Sequence, residues 1–126
     1  MVIAFPVPVV CTSTDLPVWA QGSWDGSVIR LRPWACTAIS QAQHGYVRVQ
    51  VAGVAVWLLS HEYAHATLGA AVDDRAVIAT GEDSSRADCA GWRLLPRVGR
   101  LLGLSRGVVD RLAGAVAYAA LSECER

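Results

Sequence analysis

Hydrophobic and polar positions change rhythm several times along the 126 residues, and the changes divide the chain. Val2 to Val10 is almost wholly apolar and reads as extended. Pro6 and Pro8 suit an edge strand there, where a missing N–H costs little. Thr12 to Ser27 collects Ser, Thr, Asp, Gly and Pro, and its run WAQGSWDGS reads as a hairpin or loop bearing two tryptophans. SVIRL, Ser27 to Leu31, alternates and predicts a strand. Pro33 suits the first turn of a helix, WACTAISQAQ continues it to about Gln43, and Gly45 breaks it.

Val47, Val49 and Val51 again alternate as in a strand. From about Val51 the apolar run is long and free of Pro, which predicts a buried helix closed by Gly69. AAVDDRAVIATGED reads as a polar-punctuated linker. Ser84 or Ser85 can cap a second helix, SSRADCAGWRLL, which Pro96 would kink or stop. Ser105 opens a third, RGVVDRLAGAVAYAALSEC. Strands first and helices later predict an α+β fold, and the length predicts one domain, 1–126.

About half of the residues are hydrophobic, enough for a core and too many for disorder. Net charge is zero. All 11 basic residues are Arg, scattered without a stripe of like charge, which argues against a nucleic-acid surface. The longest uncharged apolar runs, Val49 to Ser60 and Leu112 to Ser122, fall short of the roughly 20 residues a bilayer needs, so no membrane span is expected. The opening MVIAFPVPVVCTS has no basic leader, which makes the cytoplasm the default expectation and leaves secretion open if the start is truncated. Cys11, Cys36, Cys89 and Cys124 form no CxxC pair. They are expected as reduced, buried thiols, with a Cys36–Cys89 disulfide open to an exported chain.

The polar chemistry concentrates at WLLSHEYAHATLG. His61 and His65 are four apart, so a helix puts both imidazoles on one face, where they can hold one ion. Glu62 projects to the side of that face, placed to act on water as a general base and not as a ligand. With three His and four Glu, a shuffled chain gives HExxH about 0.0015 times, so composition alone does not produce the motif. Two imidazoles and a carboxylate suit zinc, and the chemistry expected is hydrolysis of a peptide or protein substrate. No histidine follows His65, so the third ligand must be a carboxylate, which rules out the metzincin pattern. The downstream carboxylates are Asp73, Asp74, Glu82, Asp83, Asp88, Asp110, Glu123 and Glu125.

HEYAH followed later by RADCAGW resembles the gluzincin-type zinc metallopeptidases. There a second helix carries ExxAD or a variant of it, whose Glu is the third ligand and whose trailing acid orients a ligand histidine. VIRLRPWAC, HEYAH and ADCAGW together resemble small bacterial metallopeptidases with an I-x-L-x-P-x-x-C segment ahead of HExxH, a likeness covering Val28 to Trp92. The resemblance implies a minimal zincin-like domain: a small N-terminal sheet, the HExxH helix and two following helices. Ser84 stands where that pattern has its ligand Glu. Asp88 on the ion is the reading favoured here, because a residue inside a helix is better held. Glu82 or Asp83 reaching in from before the helix, or loss of the third ligand, are the alternatives. Asp88 and Ser85 also have the spacing of a capping box.

His44, Tyr46, Tyr118, Arg86 and Arg93 are candidate transition-state donors with nothing in the pattern to single one out. Tyr63 reads as packing, as do Trp19, Trp24 and Trp34, which could otherwise line a groove. Two rivals to the peptidase stand beside it: an inactive metal-binding relative that recognises a partner protein, and a helical domain without metal.

Overall fold

The computed structural model describes residues 2–18, 20–67 and 82–125. Four short strands come first: β1 (Val2–Ile3), β2 (Val9–Cys11), β3 (Gly22–Trp24) and β4 (Ile29–Leu31). They form one sheet in the order β1-β2-β4-β3. β2 and β4 run parallel, while β1 lies antiparallel to β2 and β3 antiparallel to β4. The alternation of SVIRL has its expected meaning: Ile29 and Leu31 are fully buried, and Arg30 between them turns outward to Asp25. Asp25 accepts from the backbone N–H groups of Ser27 and Val28, which makes WDGS a tight turn.

Four helices follow among the described residues: α1 (Pro33–Gln43), α2 (Val49–Thr67), α3 (Glu82–Leu101) and α4 (Arg106–Cys124). The α+β class is therefore as expected. Pro33 stands at the start of α1. Arg32, just before it, donates to the carbonyls of Ser13, Pro17 and Ala20 and so holds the 12–21 loop against the helix. Gly45, at φ 92°, ends α1 as its lack of a side chain permits. Ser105 caps α4 by accepting from Val108 N–H.

Two local expectations give way. The valine alternation ahead of the motif is helical from Val49, because Ala52, Ala55, Val56 and Leu59 must face one buried layer. α3 continues past Pro96 to Leu101, so the proline does not stop it. Proline removes one hydrogen bond at a cost of about 3 kcal/mol inside a helix. Here Pro96 is on the solvent side, and Leu95 and Val98 beside it are fully buried, so packing outweighs the local penalty. Gly69 and residues 70–81 of the expected 70–83 linker lie outside the described residues, as does Trp19.

The cysteines correct the sequence reading. Cys11 is bonded to Cys36, tying β2 to α1, and Cys89 to Cys124, tying α3 to the end of α4. The thiols are not free, and Cys36 pairs with Cys11, not with Cys89. Spacing could not show this, since four cysteines allow three pairings. α2 is the centre of the molecule, in contact with α1, α3, α4, β3 and β4. Among the described residues no helix is long and apolar enough to cross a membrane.

Candidate metal centre

Depth inside the fold distinguishes HEYAH from an ordinary polar turn. His61, Glu62 and His65 are all buried, Glu62 to 0% exposure. The helical spacing brings the two imidazoles together edge to face, with ring centroids 4.9 Å apart. Nε2 of His65 lies 3.2 Å from Nε2 of His61. Two nitrogens each about 2.0–2.1 Å from one tetrahedral ion would be about 3.3–3.4 Å apart, so the pair already has the spacing of two zinc ligands. Glu62 Oε1 lies 3.6 Å from His61 Nε2. One ligand atom from each of the three residues falls within 4.8 Å of the others. This is a buried His-Glu-His group at metal-binding distance.

Asp88 is elsewhere. Its Oδ1 sits 2.5 Å from Nδ1 of His61, on the edge of the ring opposite the facing Nε2 atoms. An ionised carboxylate only accepts, so the ring proton belongs on Nδ1 and the Nε2 lone pair is left for an ion. Asp88, expected on the ion, thus sits against the ring edge of His61 away from the facing Nε2 atoms. Backbone geometry accounts for this. At Gly91 a β-carbon would lie 2.6 Å from the backbone N of His61 and 2.8 Å from its Cα. Only glycine lets α3 approach α2 so closely. That contact brings Asp88, one turn earlier, against the Nδ1 flank of the ring. Trp57 Nε1–H adds a bond of 2.9 Å to the Asp88 carbonyl.

Among the other candidates, Glu82 and Asp83 open α3, but their side chains lie outside the described residues, as do Asp73 and Asp74. Asp110 and Glu123 belong to α4, Glu125 follows it, and none joins the buried group. His44 donates from Nδ1 to the Ser40 carbonyl at the exposed end of α1. Tyr46 and Tyr118 are exposed, and Arg86 and Arg93 lie on the outer side of α3. Tyr63 packs edge to face on Phe5, as expected of a core residue. Trp24 packs against the core, and Trp34 donates to Gln21.

Two residues of this region were missed from sequence. Trp57 precedes His61 by one helical step of four, a position that only a view of α3 makes meaningful. Gly22 of β3 lies against the HEYAH turn, since a β-carbon there would come to 3.4 Å from Glu62 Cγ. No protein-family model, no curated protein and no solved structure matches the chain.

Proposed function

We propose that the protein is a zinc-dependent peptidase with His61 and His65 as ligands, Glu62 as general base and Asp88 as the acid that orients His61. One observation carries the reading: two buried Nε2 atoms face each other at 3.2 Å while the far nitrogen of one ring is held by a carboxylate. A ligating histidine commonly donates its other N–H to such a group. Zinc is favoured over other divalent ions by the imidazole–carboxylate donor set.

The ion, when bound, supplies a Lewis acid that makes water nucleophilic near neutral pH. Glu62 would take a proton from the attacking water and pass it to the leaving amine. Its complete burial keeps bulk water from competing for the same carboxylate. An extended peptide has a natural place beside it. Among the described residues β3 ends the sheet. Arg32 N–H bonds to the Gln21 carbonyl and Asp25 N–H to that of Val28. Strand alternation then directs the N–H and C=O of Gly22 and Trp24 away from β4, and the sheet face at Gly22 adjoins Glu62. A substrate strand pairing there would lay its carbonyls along the catalytic turn.

The two disulfides favour an oxidising compartment as the place of work. Ser84, where the gluzincin pattern has a ligand Glu, supports a second reading in which the centre binds metal without turnover and the protein recognises a partner. Elemental analysis of protein from zinc-replete expression tests both. About one zinc per chain is expected, and metal no higher than background would overturn both.

A further inference from the structure

Two side chains of α2 hold the same residue of α3. Trp57 and His61 are four apart, so they lie on one face of the helix. Trp57 donates its indole N–H to the backbone carbonyl of Asp88 at 2.9 Å, and His61 meets the Asp88 carboxylate at 2.5 Å. The close approach at Gly91 fixes how near α3 lies to α2. How far α3 can slide along α2 is set by side-chain packing across the seam and by directional bonds, and the bond from Trp57 acts at Asp88 itself. The disulfide at Cys89, adjacent to Asp88, anchors α3 on its other flank to α4 and leaves the α2 side to Trp57.

We propose that Trp57 is a positioning residue: its indole N–H sets the register of α3 on α2 so that Asp88 keeps the proton of His61 on Nδ1 and the Nε2 lone pair turned toward His65. The proposal rests on the metal centre assigned above, although its first consequence exists before any ion binds. A slide of about an ångström would move the carboxylate out of hydrogen-bond range, since such bonds weaken steeply beyond about 3.2 Å. His61 would then exchange between its two neutral tautomers, and only one of these offers Nε2 to a metal.

The test compares full-length wild type, Trp57→Phe and Trp92→Phe. Trp92 is a matched control, because it also donates an indole N–H across a helix seam, to Ala113 of α4 at 3.3 Å, away from the site. In the metal-free proteins, in mildly alkaline buffer, nitrogen-resolved NMR of the histidine rings reads the tautomer of His61. Competition titration with cobalt(II) reads affinity. Trp57→Phe is expected to lose the Nδ1–H preference and bind cobalt about 10–100-fold more weakly, the range for partners of ligating histidines. Trp92→Phe is expected to keep both at a similar loss of thermal stability. Should Trp57→Phe not fold, 3-benzothienylalanine at position 57 replaces the N–H with sulfur at nearly constant shape and gives the same readings. A wild-type tautomer in the Trp57 variant, or an equal change in the Trp92 variant, overturns the proposal. Failure of wild type itself to bind cobalt would overturn the metal reading while the tautomer comparison still decides the role of Trp57.

Discussion

Asp88 and His61 meet across the seam between α2 and α3, with carboxylate Oδ1 2.5 Å from ring Nδ1. The contact sets Asp88 on the ring edge away from the facing Nε2 atoms, and under the proposed reading it changes what mutation should do. Asp88→Ala should weaken zinc binding about 10–100-fold without abolishing it. His61→Ala or His65→Ala should lose the metal. Asp88→Asn keeps an acceptor oxygen for Nδ1–H and should fall between Asp88→Ala and wild type. Competition against a chromogenic chelator measures all four, and loss of metal in Asp88→Ala as complete as in His61→Ala would return Asp88 to the ion.

The disulfides should contribute most of their effect through the unfolded chain. They close separations of 25 and 35 residues. Chain-entropy reasoning gives roughly 3–4 kcal/mol for each, a large share of a small domain's stability. Denaturation with and without a thiol reductant should show the midpoint falling sharply on reduction. The Cys89→Ala/Cys124→Ala double variant should also bind zinc less tightly than Cys11→Ala/Cys36→Ala, because only Cys89 adjoins Asp88. Equal zinc affinities in the two variants would remove that link.

Asp25 makes a modest acid-limb prediction. The Arg30 guanidinium beside it, with the N–H groups of Val28 and Ser27, holds its carboxyl well below the usual carboxylate range. The folded value lies below the unfolded one, so the contribution is full above roughly pH 4 and is lost as pH falls toward the folded value. The pair is solvent-exposed in part, with side chains at 28% and 39%, so screening limits it to less than about 1 kcal/mol. Asp25→Asn should therefore cost little near neutrality and flatten the decline of stability below about pH 4. An unchanged slope in urea melts across that range would contradict the assignment.

The sequence carried the class and the centre of the site well and the seam between helices poorly. Alternation in SVIRL, Pro33 at a helix start and HExxH on a buried helix are local signals, and each survives because the fold does not oppose it. Pro96 does not end α3, because its penalty is local and the packing of Leu95 and Val98 that outweighs it is not. The disulfide pairing and the place of Asp88 depend on how α3 lies on α2 and α4. That arrangement is decided by a glycine at 91 and an indole at 57, residues 34 apart in sequence whose relation no periodicity reveals. Ser84, where the gluzincin-like pattern has Glu, was visible in sequence, and its side chain lies outside the described residues.

Glu62→Gln against wild type, at equal zinc content and on a panel of unstructured peptides, tests the central claim most directly. Gln keeps the volume of a wholly buried side chain and one acceptor oxygen, but it cannot take a proton from water. Thermal stability and zinc content should stay close to wild type, while turnover should fall about 10²–10⁴-fold, the usual share of a general base. Equal zinc-dependent cleavage by the two proteins, or no cleavage by wild type with zinc fully bound, would contradict the account.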